Sequence, residues 1–135
     1  MKTLAFIRRR EDCSRDAFRD HYEAVHVPLA LPRLVGLTRY ARHHVREEIA
    51  GKAGFDCLTS FVWRDAAALD AVVALLASRD GEAIRRDEEC FMDKAANHFC
   101  AATEMVLRNE LPVDPTLPTL VVAVSRPRGA VPEQF

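Results

Sequence analysis

Glycine is scarce in this chain, five in 135 residues, and no three of them fall in the pattern of a phosphate-cradling loop, so a nucleotide fold built on such a loop is not expected. Lysine is scarcer still, three against sixteen arginines, and the arginines are spread along the chain. With a formal net charge of −1 there is no bulk field to draw nucleic acid or an anionic membrane, and neither is expected as a partner. No apolar run approaches the ~20 residues of a membrane span. The four cysteines, Cys13, Cys57, Cys90 and Cys100, include no C-x-x-C pair of the redox or zinc kind. Thr3 to Ile7, ahead of Arg8-Arg9-Arg10, is too short for a secretory leader, and a reduced, cytoplasmic protein is the expectation. Metal-ligand spacing is also missing. His21 and His26 are five apart, off the i, i+4 spacing of one α-helical face, and the adjacent His43 and His44 point to opposite sides of a strand. No metal and no cofactor is expected.

What remains is an ordinary globular balance, 49% hydrophobic and 29% charged, in a length that fits one domain with a real core. Thr3 to Ile7 reads as a first strand. Ser14 is an N-cap, and Phe18, Tyr22, Val25 and Leu29 form one stripe of the helix that follows. Pro28 disfavours helical geometry at Val27 and removes a backbone donor, so the helix should bend or end near His26. Thr38 to Arg46 reads as a second strand with Tyr40, Arg42 and His44 on one face and Arg39, Ala41, His43 and Val45 on the other. Phe55 to Trp63 reads as a third strand, hairpinned to the second, with Cys57, Thr59, Phe61 and Trp63 sharing a face. Asp65 caps a helix over 66–77 whose stripe is Leu69, Val72, Val73 and Leu76. A charged helix over 82–90 follows, with Ile84, Cys90 or Phe91 inward, and His98 to Leu107 is the fourth strand.

The order βαββαβ is the α+β, ferredoxin-like arrangement: an antiparallel sheet with both helices on one face. The opposite face is then expected to carry Phe, Trp, Tyr and His, and to be covered by face-to-face pairing of two copies. After Asn109 three prolines mark an extended arm. Thr119 to Val124 is an unbroken apolar extra strand expected to pair with a sheet edge. The division is thus 1–108 for the α+β domain and 109–135 for the arm.

Among candidate functional residues, His26 lies one helical turn after Tyr22 and, at a helix end, would feel the macrodipole. An imidazole can give or take a proton near neutrality. Tyr40 could stabilise an oxyanion. Arg42 and His44 could hold a carboxylate. Phe61, Trp63 and Phe91 could line an apolar pocket. Each also has a plainer reading: a capping histidine, core aromatics, a solvated strand face.

Five segments in order resemble the EthD-type domain family. They are Phe6-Ile7-Arg8-Arg9 with Ser14-Arg15-Asp16-Ala17-Phe18, then His21-Tyr22-Glu23-Ala24-Val25-His26-Val27-Pro28-Leu29-Ala30, then Leu37-Thr38-Arg39-Tyr40, then Phe55-Asp56 with its apolar strand, and Ser78-Arg79-Asp80-Gly81 through Phe91-Met92-Asp93. The second is similar to the family's "Y-W-x-x-x-H-x-P-L", with His21-Tyr22 in place of the paired aromatics. Cys57 and Ser60 replace the usual glycine and glutamate of the third strand. The resemblance implies a dimeric α+β barrel enclosing ligand pockets. Some family members accompany ether-degrading oxygenase systems, and similar folds include lactone isomerases and polyketide decarboxylases or dehydratases. In the lactone isomerases a histidine at the position of His26 and a tyrosine at that of Tyr40 belong to the active site. Their third-strand cysteine falls at Phe61, so a thiol mechanism does not carry over. The implied function is cofactor-independent proton transfer by an isomerase or lyase on a small hydrophobic, aromatic or lactone-like substrate. His26 and Tyr40 would be catalytic, with Tyr22, Arg42, His44, Phe61, Trp63 and Phe91 lining the site of a homodimer. A non-catalytic accessory protein of an oxygenase pathway, and a purely structural dimer, are the alternatives.

Overall fold

A computed structural model describes residues 1–105. Strand β1 (Lys2–Ile7) leads into α1 (Arg15–His21), a π-helical turn (Tyr22–His26), α2 (Val27–Ala30) and a 3₁₀ turn (Leu31–Arg33). Then come β2 (Leu37–His44), β3 (Cys57–Trp63), α3 (Ala66–Ala77), α4 (Glu82–Phe91) and β4 (His98–Ala102). The strands form one antiparallel sheet in the order β2-β3-β1-β4. This is the ferredoxin-like α+β arrangement. The boundary expected near residue 108, the proline-marked arm and the Thr119–Val124 strand lie outside the described residues. The fourth strand ends at Ala102, short of the expected Leu107.

The caps form as the side chains dictate. Ser14 Oγ accepts from the Ala17 amide, and Asp65 accepts from the Ala68 amide, each meeting a donor that a helix start leaves free. α3 has the expected bounds, but its stripe is rotated. Ala68 and Val72 are buried whereas Val73 is exposed, so the small alanine turns its side of the helix to the sheet. On α4, Ile84 and Phe91 point inward and Cys90 is exposed.

Helices cover the face carrying Ala5, Ile7, Cys57 and Thr59, which packs with Phe18, Tyr22 and Phe91. Period-two alternation puts Tyr40, Phe61 and Trp63 on this same covered side, and Trp63 is 4% exposed. The expectation that the bare face carries Phe, Trp, Tyr and His is therefore corrected for Trp63 and Tyr40, whereas Phe6 and His43 do lie there. The bare face carries Leu4, Phe6, Ala41, His43, Leu58 and Val62. Alternation says which residues share a face, not which face the helices choose.

The helix does not end at Pro28 and does not stay regular: it passes through a π-helical turn. In a regular α-helix the Pro28 ring would meet the Ala24 carbonyl and leave it without a donor. Instead the chain widens by one residue, and the Val27 amide bonds the Tyr22 carbonyl five residues back. Pro28 then sits in the first turn of α2, where no donor is needed.

Candidate functional site

His26 is buried beneath α4, 5% exposed, and its Nδ1 lies 2.8 Å from Asp87 Oδ2. The other carboxylate oxygen of Asp87 lies 2.8 Å from His21 Nε2. The π turn explains the pair. Five residues apart is off-face for an α-helix but returns to the same face across a π-helical turn, so both rings reach one carboxylate. The spacing that argued against a shared face is thereby overturned. The helix-end argument for His26 is overturned too, because the helix runs on through Ala30 and what faces the ring is Asp87. An ionised carboxylate only accepts, so His21 Nε2–H and His26 Nδ1–H both donate to it. A neutral His26 ring bonded in this way carries its free lone pair on Nε2.

Phe91 backs this bridge. Its ring centre is 4.6 Å from that of His21, 5.4 Å from His26 and 5.5 Å from Tyr22. The Tyr22 ring stands 5.2 Å from His26 in an edge-on contact. Its hydroxyl is 3.0 Å from Thr59 Oγ1 and adjoins the Tyr40 hydroxyl. Burial pushes the Tyr22 hydroxyl well above the usual tyrosine range. Burial also raises that of Tyr40, against the opposing pull of the adjoining Tyr22 hydroxyl and of nearby Arg42. Both therefore keep their protons near neutrality and act as hydrogen-bonding groups. Neighbouring Cys57 is pushed up to about 12 by burial, which keeps a neutral thiol beside Thr59. His26 and Tyr40 thus lie on one side of the sheet, with Tyr22 between them.

Arg42 and His44 meet a different partner from the expected substrate carboxylate. Glu23 takes two bonds of 2.7 Å from Arg42 Nε and Nη2, and a third of 2.8 Å from His44 Nε2. Arg42 above all, then His44, holds the Glu23 carboxyl below the ordinary range, and Glu23 in turn raises Arg42. The Arg42 guanidinium also covers the Tyr40 ring, 4.4 Å from its centre. From Tyr40 a stacked row continues to Phe61 at 5.0 Å and on to Trp63 at a further 5.7 Å.

Two clefts lie away from this row. One, about 590 Å³ and open, is lined by Arg10, Asp12, Glu89, Met92 and Asp93 among others. The second, about 220 Å³, is lined by residues from Arg15 to Arg19 and by His44, Val45, Arg46 and Asp56. His44 alone of the expected site residues borders either. Among the described residues no group of three His, Cys, Asp or Glu side chains is arranged to hold a metal ion, and no helix is long and apolar enough to cross a membrane.

Sequence reasoning missed Asp87, Glu23 and Thr59. A signal for Asp87 existed. It stands three residues after Ile84 and four before Phe91, on the same inward stripe of α4, where a carboxylate needs partners.

The family model for the EthD domain matches residues 10–95. No curated protein sequence matches the chain. Among solved structures, an ethyl tert-butyl ether D (EthD) family protein of Bacillus halodurans has a TM-score of 0.57 at 21% identity, covering 78% of this chain and 99% of that one. HapK of Hahella chejuensis has a TM-score of 0.54 at 16% identity, covering 81% of this chain and 99% of its own. A dimeric protein of ferredoxin-like fold and unknown function from Bacteroides fragilis has a TM-score of 0.50 at 7% identity, covering 73% and 90%. At these identities the likenesses establish the fold.

Proposed function

This chain belongs to the EthD domain family, and from that premise we propose that it is a small-molecule enzyme catalysing cofactor-independent proton transfer on a hydrophobic, aromatic or lactone-like substrate. The observation that carries the reading is the bond from His26 Nδ1 to Asp87, 2.8 Å long, which leaves Nε2 as the base. A carbon acid beside a carbonyl would lose its proton to Nε2. The resulting imidazolium is stabilised by Asp87, and the enolate oxygen takes a hydrogen bond from the Tyr40 hydroxyl. Return of the proton at another carbon is an isomerisation. Expulsion of a β-hydroxyl as water is a dehydration. Protonation of the carbanion left after loss of carbon dioxide is a decarboxylation. The Tyr22 hydroxyl, held by Thr59, adjoins that of Tyr40, and the Phe61–Trp63 row offers flat surface beside it, with Phe91 behind His26.

The working form in this reading is a homodimer. The bare sheet face presents Leu4, Phe6, Leu58 and Val62, which a second copy would cover, and the Bacteroides fragilis relative is described as dimeric. The four free thiols accord with a cytoplasmic setting. Incubation in D₂O with a panel of lactones and enolisable aromatic ketones tests the chemistry. Deuterium should enter the carbon next to the carbonyl, and His26→Ala should slow this by about 10²-fold or more. Exchange that is as fast in His26→Ala as in the parent removes the mechanism.

The 5% exposure of His26, and the placement of both clefts away from it, favour one second reading: a non-catalytic ligand-binding accessory of an oxygenase pathway. Ligand capture by native mass spectrometry, with no deuterium exchange for any captured compound, would select it.

A further inference from the structure

His44 has one ring nitrogen engaged and one unmet. Its Nε2 is fixed on Glu23, and its Nδ1 is buried with no hydrogen-bond partner among the described residues. A buried polar atom with nothing to bond is uncommon in a folded protein and asks what completes it. The same imidazole lines the cleft of about 220 Å³ between the start of α1 and the end of β2. Three arginines and two aspartates, Asp16 and Asp56, border this cleft, and the aspartates are taken up by two of the arginines. Arg15 is engaged by Asp56 at 3.2 Å, and Arg19 by Asp16 at 3.0 Å and Asp20 at 2.9 Å. Arg46 has no ion pair among the described residues. Phe18 and Val45 supply apolar wall.

From a cleft-lining histidine with an unmet Nδ1, the uncommitted Arg46 and the apolar wall beside them, we propose that this is a binding site for the carboxylate of a small apolar acid, which reaches Nδ1 once the ring edge opens to it. The carboxylate takes a bidentate fork from Arg46. A carboxyl group also suits His44 whichever partner holds the shared proton: the acid O–H donates to bare Nδ1, or the carboxylate accepts from Nδ1–H. Chloride cannot offer that exchange. One free guanidinium matches a monoanion better than a phosphate dianion. The volume, below the ~300 Å³ of a typical drug-sized pocket, fits a carboxylate and one ring or short chain rather than a large ligand. The site stands apart from His26, with the Tyr22 ring between them, 5.5 Å from that of His44 and 5.2 Å from that of His26.

Benzoate is the probe, titrated into the full-length protein while the His44 ring resonances are followed by NMR. One site should saturate with His44 shifting. Arg46→Ala should weaken binding about tenfold or more, and Arg46→Lys should restore part of the loss. Inorganic phosphate and chloride, run as separate arms, should bind at least about tenfold more weakly than benzoate. His26→Ala should bind benzoate like the parent, which separates this site from the proton-transfer reading. Absence of a saturable His44 shift overturns the proposal. So does an unchanged affinity in Arg46→Ala, and so does equal binding of all three anions, which would mark a nonspecific basic patch.

Discussion

His26 Nδ1 and Asp87 Oδ2 are 2.8 Å apart across 61 residues of sequence, and His21 holds the other oxygen of the same carboxylate. One acidic side chain on α4 therefore holds two imidazoles on the helix opposite, one of them the candidate base.

Asp87→Asn keeps the shape of this bridge but offers one acceptor where two N–H groups donate. The deuterium-exchange rate should fall about tenfold or more while the fold is retained, as checked by circular dichroism. Asp87→Ala leaves the buried His26 donor unpaired, while the part-exposed His21 can turn to water, and should cost about 1–3 kcal/mol in urea unfolding.

Phe91 is 2% exposed and touches Phe18, His21, Tyr22 and His26. Phe91→Ala opens a cavity behind the bridge. A loss of about 3–5 kcal/mol is expected in denaturant titration, a large part of the stability of a small domain.

Gly36 has φ of +86°, and a Cβ there would lie 2.5 Å from the Ala68 Cβ. Gly36→Ala combines left-handed strain with a clash between the start of β2 and α3. A destabilisation of about 2–3 kcal/mol should appear as a lowered urea midpoint. Gly51→Ala, also at positive φ but with open space around it, should cost less.

Much of this architecture is legible in the sequence, and the failures have specific causes. Ser14 and Asp65 announce their helices because a capping oxygen is a local requirement. The strand faces of 40–44 and 57–63 follow from the pleat. The sidedness of the sheet does not, because Trp63 and Leu58 are both plausible against a helix and only tertiary packing chooses. His26 and Tyr40 are conspicuous as residue types. Asp87 hides in the run Arg85-Arg86-Asp87-Glu88-Glu89, where charge reads as solvated surface until the inward stripe of Ile84 and Phe91 is extended through it. The π turn is half legible. Pro28 demands an irregularity, but whether the chain ends or widens depends on the partner waiting for His21 and His26.

Glu23 gives a pH signature. Its folded pKa is depressed, chiefly by Arg42 and also by His44. Its contribution is thus present above the ordinary glutamate value of ~4.3 and is lost as the pH falls through the lower folded value. Glu23→Gln should flatten this part of the acid limb. The urea midpoints of variant and parent should converge as the pH is lowered from about 5 to about 3. A parallel acid limb in the variant would assign it to other carboxylates.

The protonation pattern of His26 bears most directly on its role as a base oriented by Asp87. Long-range ¹H–¹⁵N correlation of the side chain near neutral pH should show Nδ1 carrying the proton and Nε2 bare, and Asp87→Asn should disturb that pattern. A parent protein with the proton on Nε2 and a bare Nδ1 facing Asp87 contradicts the account.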